Sequence, residues 1–202
     1  MSTASKPSLS PQQYLAMERA AETRSEYVDG MLRERTGGSR AHNLIVGNVS
    51  SALWARERAR GCEVYAVDMR VRVRHRRPRV DRYVYPDVVA VRGAPRFEDA
   101  ATDTLLNPTL IVEVLSPSTE RWDRGGKFAG YRRLASLGDY VLVAQDAVRV
   151  EHYTRHGEGW LLTELADLGA ALAIPSLDVT LPLGDLYDRV APFPDDADAP
   201  AR

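Results

Sequence analysis

The sequence predicts an α/β fold: one domain built on a mixed β-sheet with helices flanking it. Three observations carry this. Segments with a helical hydrophobic period alternate with segments of period two along the chain. No internal repeat and no interior linker interrupts the 202 residues, a length that suits one domain of about 100–200 residues. The composition, 44% hydrophobic and 27% charged, is that of an ordinary globular protein and argues against wholesale disorder.

Residues 1–9 read as a flexible leader, 10–190 as the domain and 191–202 as an acidic, disordered tail carrying Asp195, Asp196 and Asp198. Ser10-Pro11-Gln12-Gln13 opens a helix over 11–21, with serine at the N-cap and proline in the first turn, and Tyr14, Leu15 and Met17 facing inward. Residues 26–32 read as a hairpin whose Asp29-Gly30 turn exploits the freedom of glycine at positive φ. A second helix is predicted over 39–59, because Leu44, Ile45, Val49, Ala52 and Leu53 recur at helical spacing and Gly61 can end it. The period then falls to two. Over 69–75, Val71 and Val73 face one side, and Arg70, Arg72 and Arg74 the other. Residues 83–91 and 109–115 give two further strands, the second apolar enough to be buried. A helix over 120–136 turns Phe128, Tyr131, Leu134 and Ala135 inward, and strands follow at 139–145, 148–154, 160–165 and 177–181.

No apolar run approaches the roughly 18 residues a membrane span needs. The N-terminus lacks the apolar core of a secretory signal. The lone Cys62 excludes an intrachain disulfide framework and a multi-cysteine zinc site, so a cytoplasmic setting is expected. The net charge of −1 hides segregation: between Arg70 and Arg82 seven arginines face one acid, Asp81. A row of like charges on one strand face repels itself unless an anion or an acidic partner lies over it, so Arg70, Arg72 and Arg74 are the candidate nucleic-acid contacts. The competing explanation is a solvated strand edge that discourages aggregation.

Two acids stand inside apolar strands, Asp87 and Glu113. Burying a carboxylate is costly unless it is paired or binds a metal. Side by side on neighbouring strands the two would repel unless a cation lay between them, and their hard oxygens suit Mg²⁺ or Mn²⁺. Lysine occurs only at Lys6 and Lys127. Asp123, Lys127 and Tyr131 are spaced by four and share a helix face, which either forms a solvated ion pair or points Lys127 at the acidic pair. Gly125, Gly126 and Gly130 make this helix intrinsically poor, which points to selection for something other than helix stability; close approach to a neighbour or a phosphate is one option.

These residues carry a resemblance. Pro86-Asp87, Glu113 deep in a strand and a later lysine resemble the PD-(D/E)XK nuclease superfamily, the restriction-endonuclease-like fold. Residues 112–119, 123–127 and 131–133, with 26–30 and His42 upstream, are similar to the Uma-two family of endonucleases across residues 10–185. The resemblance implies a divalent-metal phosphodiesterase acting on DNA. Asp87 and Glu113 would be its metal ligands, and Lys127, on the following helix, would stand in for the lysine expected where Leu115 is. Asp87, Glu113 and Lys127 would then be the catalytic residues, with Glu26, His42 and Asp123 as auxiliary candidates. For Glu26 a surface hairpin acid, and for His42 a helix-cap or surface role, remain open. A homodimer suits the cutting of two strands. Two further classes stay open: a non-catalytic nucleic-acid-binding protein that keeps the fold, and a protein-interaction module.

Overall fold

The computed structural model describes residues 9–35, 37–57, 60–74, 81–190 and 193. Most of the leader, Arg76, Arg77, Arg79 and the acidic tail apart from Phe193 lie outside the described residues.

Helix α1 (Pro11–Ala20) starts as its sequence dictates: Ser10 accepts from the Gln13 amide, and the Gln13 side chain accepts from the Ser10 amide. Its inner face is Tyr14, Leu15 and Glu18, whereas Met17 is 49% exposed, a correction to the expected stripe. Strands β1 (Ser25–Val28) and β2 (Met31–Glu34) form the hairpin, with Asp29 and Gly30 both at positive φ. Helix α2 (Arg40–Glu57) buries Ile45, Val49 and Leu53.

Strands β3 (Cys62–Ala66) and β4 (Arg70–Val73) follow. The strand expected over 83–91 is two strands, β5 (Arg82–Val84) and β6 (Val88–Arg92). Pro86, which has no N–H to give a ladder, sits at the break. There the chain leaves one sheet for another, and the Tyr85 amide bonds the Glu26 carboxylate instead of a strand. Two-residue β7 (Thr104–Leu105) and buried β8 (Leu110–Leu115) come next.

The predicted helix over 120–136 is shorter and irregular. A single turn, α3 (Glu120–Trp122), runs into a π-helical turn over Asp123–Lys127, then α4 (Phe128–Tyr131). Past Tyr131 the carbonyls of Arg132, Leu134 and Leu137 accept from Arg155, which satisfies a chain that has stopped being helical. Ala135 is exposed rather than inward. Strands β9 (Asp139–Ala144), β10 (Val150–His156), β11 (Gly159–Leu165), β12 (Ala171–Ile174) and β13 (Val179–Pro182), and the turn α5 (Leu183–Leu186), complete the fold.

The six-stranded sheet has the order β11-β10-β9-β8-β6-β3, with β8 and β9 parallel and the other pairs antiparallel. The five-stranded sheet runs β2-β1-β5-β4-β7, and β12-β13 is a separate hairpin. Period two divides the core. Val88, Ala90, Leu110 and Val112 pack under α2 and the β12-β13 hairpin, whereas Val89, Val91, Ile111 and Leu115 face Val71, Val73 and Val84 of the five-stranded sheet. Glu113 and Asp87 have the parity of this second face, so they point into the seam between the two sheets.

The arginine row does not form the expected DNA-binding face. Arg70 is 3% exposed and ion-paired with Asp103, and Arg72 bridges Asp81 and Glu98 at 2.6 Å each. Acidic partners, not phosphates, resolve the repulsion. Of the three, Arg74 alone is exposed.

One buried pair links β9 to β10: His152 Nε2 lies 2.6 Å from Asp139 Oδ1, and Asp139 Oδ2 accepts from the Ser176 amide at 2.9 Å. Burial pushes the Asp139 carboxyl up, but these hydrogen bonds outweigh it and hold it below the usual range. A depressed folded pKa means stability that is complete above the unfolded value of about 3.9 and is lost as pH falls through the folded one. Asp139→Asn is expected to cost about 3 kcal/mol at pH 7 and to flatten the loss of stability in acid, both read by urea unfolding.

Candidate active site

Asp87 and Glu113 are brought together by strand register. Val88 pairs with Val112 and Val89 with Ile111, and the same register carried one residue further sets Asp87 opposite Glu113. Both are buried, at 7% and 2% exposure. Asp87 Oδ2 accepts from the Val114 amide at 2.8 Å, the peptide that follows Glu113, and lies 3.2 Å from His42 Nε2. Arg35 Nη2 is 3.8 Å from Asp87 Oδ1.

Glu113 is held from the helical side. Tyr131 donates its hydroxyl to Oε1 at 2.9 Å, and Lys127 Nζ donates to Oε2 at 3.0 Å. The same ammonium is 3.1 Å from Asp123 Oδ1 and 3.3 Å from Glu26 Oε1. Lys127 therefore does not project into solvent, and the helix face it shares with Asp123 and Tyr131 is turned onto Glu113. The turn that carries it is π-helical, a geometry often found at functional sites. Gly126 is required there: a Cβ would come within 1.8 Å of the Trp122 ring, whose Nε1 donates to Glu26 Oε2 at 3.4 Å.

His42 enters from the first turn of α2. Its Nδ1 is buried and has no hydrogen-bond partner among the described residues. Gly38 packs against the ring so closely that a Cβ would meet Nδ1 at 2.6 Å. Ser116 has the turn role its sequence context suggests, its hydroxyl bonding Thr119 at 2.9 Å.

The electrostatics are lopsided. Four carboxylates, Glu26, Asp87, Glu113 and Asp123, surround one lysine. Burial, with Asp123, Asp87 and Glu26 nearby, pushes the Glu113 carboxyl well above the ordinary range although Lys127 opposes it. Burial raises Asp123 as well, again against Lys127. Burial pushes Asp87 up too, but His42, Lys127 and the Val114 amide outweigh it and leave the carboxyl lowered. Burial pulls the Lys127 ammonium down, yet Glu113, Glu26 and Asp123 overcome this and hold it charged.

This donor set fits a hard divalent cation. It offers oxygen ligands, and a cation between Asp87 and Glu113 would favour the ionised form of Glu113 that burial and the neighbouring acids disfavour. Among the described residues no three His, Cys, Asp or Glu side chains close on one point. Two opposed carboxylates still suit Mg²⁺, which commonly takes one or two protein carboxylates and completes its shell with waters and substrate phosphate. The group forms the floor of a cleft of about 580 Å³. Its rim includes Arg24, Arg33 and Arg35 on one side and Ser116, Ser118 and Gln145 among its other lining.

Asp87, Glu113, Lys127, Glu26, His42 and Asp123, the six residues that stand out in the sequence, all line this cleft. The structure keeps Arg70, Arg72 and Arg74 out of the cleft lining. It adds Tyr131 as the clamp on Glu113, Trp122 beside Glu26 and the three rim arginines. The signal for Arg33 and Arg35 is their spacing of two in the strand that leaves the Asp-Gly turn, which puts both on one strand face.

Comparison with known proteins agrees with this architecture. The sequence model of the Uma2 family, described as "Putative restriction endonuclease", matches residues 11–184. Two Synechocystis proteins are similar along most of their length. "Uncharacterized protein sll1609" is 37% identical over 158 residues, covering 78% of this chain and 87% of that protein. "Uncharacterized protein slr1290" is 34% identical over 177 residues, covering 83% and 90%. A crystal structure described as "a putative nuclease belonging to DUF820" from Anabaena variabilis superposes with a TM-score of 0.74 at 18% identity, covering 91% of this chain and 99% of that one. At that identity the likeness speaks for the fold alone.

Proposed function

The chain belongs to the Uma2 family, and from that premise we propose that it is a divalent-metal-dependent nuclease that hydrolyses DNA phosphodiester bonds. The observation that carries this is the opposed Asp87–Glu113 pair, with Lys127 against Glu113, on the floor of an open cleft.

A phosphodiester is an anion that resists attack by a nucleophile. Mg²⁺ or Mn²⁺ held by Asp87 and Glu113 would offset that charge, acidify a water and stabilise the leaving oxygen. The chain's own residues hold this arrangement in place. The Val114 amide and His42 fix Asp87, and Tyr131 fixes Glu113. Lys127 stays protonated, so it supplies fixed positive charge beside the phosphate rather than acting as a base. Asp123 and Glu26 hold its ammonium in that position. A two-fold dimer belongs to the same reading, since two sites related by a dyad can cut both strands.

The competing reading is a nucleic-acid-binding protein that keeps the fold without catalysis. One observation favours it: Lys127 already supplies a cation to Glu113, Glu26 and Asp123. Supercoiled plasmid incubated with purified protein separates the two. Nicking with Mg²⁺ or Mn²⁺ that stops on chelation is the expected result. Binding without nicking under every metal supports the alternative.

A further inference from the structure

The β1-β2 hairpin turns one face to the cleft. Cross-strand pairing sets Glu26 opposite Arg33, and the Arg35 amide donates to the Arg24 carbonyl at 3.2 Å. Period two then gives Arg24, Glu26, Arg33 and Arg35 the same side, and all four line the cleft. The face is thus an acid that reaches the floor, bordered by three arginines.

Arg24 and Arg33 differ from Arg70 and Arg72 in how their charge is met. Arg24 donates to the Glu18 and Ala21 carbonyls, and no carboxylate lies within ion-pair reach of it among the described residues. Arg33 likewise has none; its guanidinium carbon lies 4.8 Å from the centre of the Trp122 ring. Arg35 is already met by carboxylates, 3.8 Å from the buried Asp87 and 3.8 Å from the exposed Asp68. Arg24 stands across the hairpin from Arg35, whose charge Asp87 and Asp68 already meet, so of this pair Arg24 keeps a charge with no carboxylate beside it among the described residues. Arg33 lies over the Trp122 ring, which restrains its guanidinium, so less freedom is lost when it takes up a ligand. A planar fork beside an acidic floor matches a phosphate chain that must cross the cleft.

We propose that Arg24 and Arg33, backed by Arg35, bind the DNA backbone phosphates that flank the phosphodiester lying over the acidic floor. This rests on the nuclease reading and names the surface through which its substrate is held. It also moves the nucleic-acid contact from the β4 face, where Arg70 and Arg72 are neutralised, to the hairpin.

The test uses the full chain with both exposed arginines changed, Arg24→Ala together with Arg33→Ala. Arg132→Ala with Arg133→Ala, also exposed but outside the cleft, serves as a control of equal charge. Association with a short fluorescent duplex is followed by anisotropy in EDTA across a salt titration. The hairpin variant is expected to bind roughly tenfold or more weakly, with the slope of log K against log salt reduced by about 0.9 for each arginine removed. The control is expected to bind as wild type does. Equal binding by the hairpin variant and wild type, with wild type binding DNA, overturns the inference and leaves the nuclease reading standing. Failure of wild type to bind DNA with or without metal overturns both.

Discussion

Glu113→Gln is expected to abolish metal-dependent nicking while leaving the fold intact. The amide preserves volume and can still accept from Tyr131, but it removes the charge that would hold the cation. The rate should fall by about 10²–10³-fold or more, the scale of losing one strong electrostatic contact to the transition state. Binding of DNA in EDTA should be unchanged, because Glu113 lies on the floor and not on the arginine rim. The stability change has a direction too. Burial and the three neighbouring acids hold the folded carboxyl well above its ordinary range, so ionised Glu113 opposes folding as pH rises. Lys127, which gives up one partner, keeps Asp123 at 3.1 Å and Glu26 at 3.3 Å. The variant should therefore be as stable as wild type at neutral pH, or more so. Nicking that persists at the wild-type rate would place the chemistry elsewhere or in a contaminant.

Lys127→Met should have the opposite signature. It removes the cation from among Glu26, Asp123 and Glu113 and leaves buried carboxylates facing one another. Removing one member of a buried charged cluster costs about 3–5 kcal/mol. In a chain of this length that corresponds to a drop of about 6–20 °C in the unfolding midpoint. Mn²⁺ should restore more of that loss in the variant than it adds to wild type, since a bound cation stabilises the folded state by mass action. An unaltered midpoint without metal would mean that Lys127 is not the keystone of the cluster. Differential scanning fluorimetry with and without metal reads both quantities.

What the sequence revealed of this site follows from chemistry that is local. Asp87 and Glu113 stood out because a carboxylate in an apolar strand calls for a partner, and the helical spacing of Asp123, Lys127 and Tyr131 already placed them on one face. What it concealed depends on which strands meet. Nothing in the run from Arg70 to Arg74 tells that Asp103, Asp81 and Glu98 come to cover it; Asp103 and Glu98 arrive from the distant segment around β7. The division into two sheets was equally hidden, although Pro86 marked the crossing point. Strand β12 escaped notice because Ala171 and Ala173 on its outer side are apolar, so alternation with Leu172 and Ile174 leaves no polar period. The π turn was invisible for a related reason. Residues four apart still share a face in it, as Asp123 and Lys127 do, and the glycines it contains also read as weak helix.

On the proposed reading, Asp87 and Glu113 share a cation on the cleft floor. Crystals of the wild-type protein soaked in Mn²⁺ and measured at the manganese edge test it most directly. An anomalous peak in contact with oxygens of both Asp87 and Glu113, absent from crystals of Glu113→Gln treated alike, is the expected result. No peak there at saturating Mn²⁺, with the Lys127 ammonium still against Glu113, would contradict it.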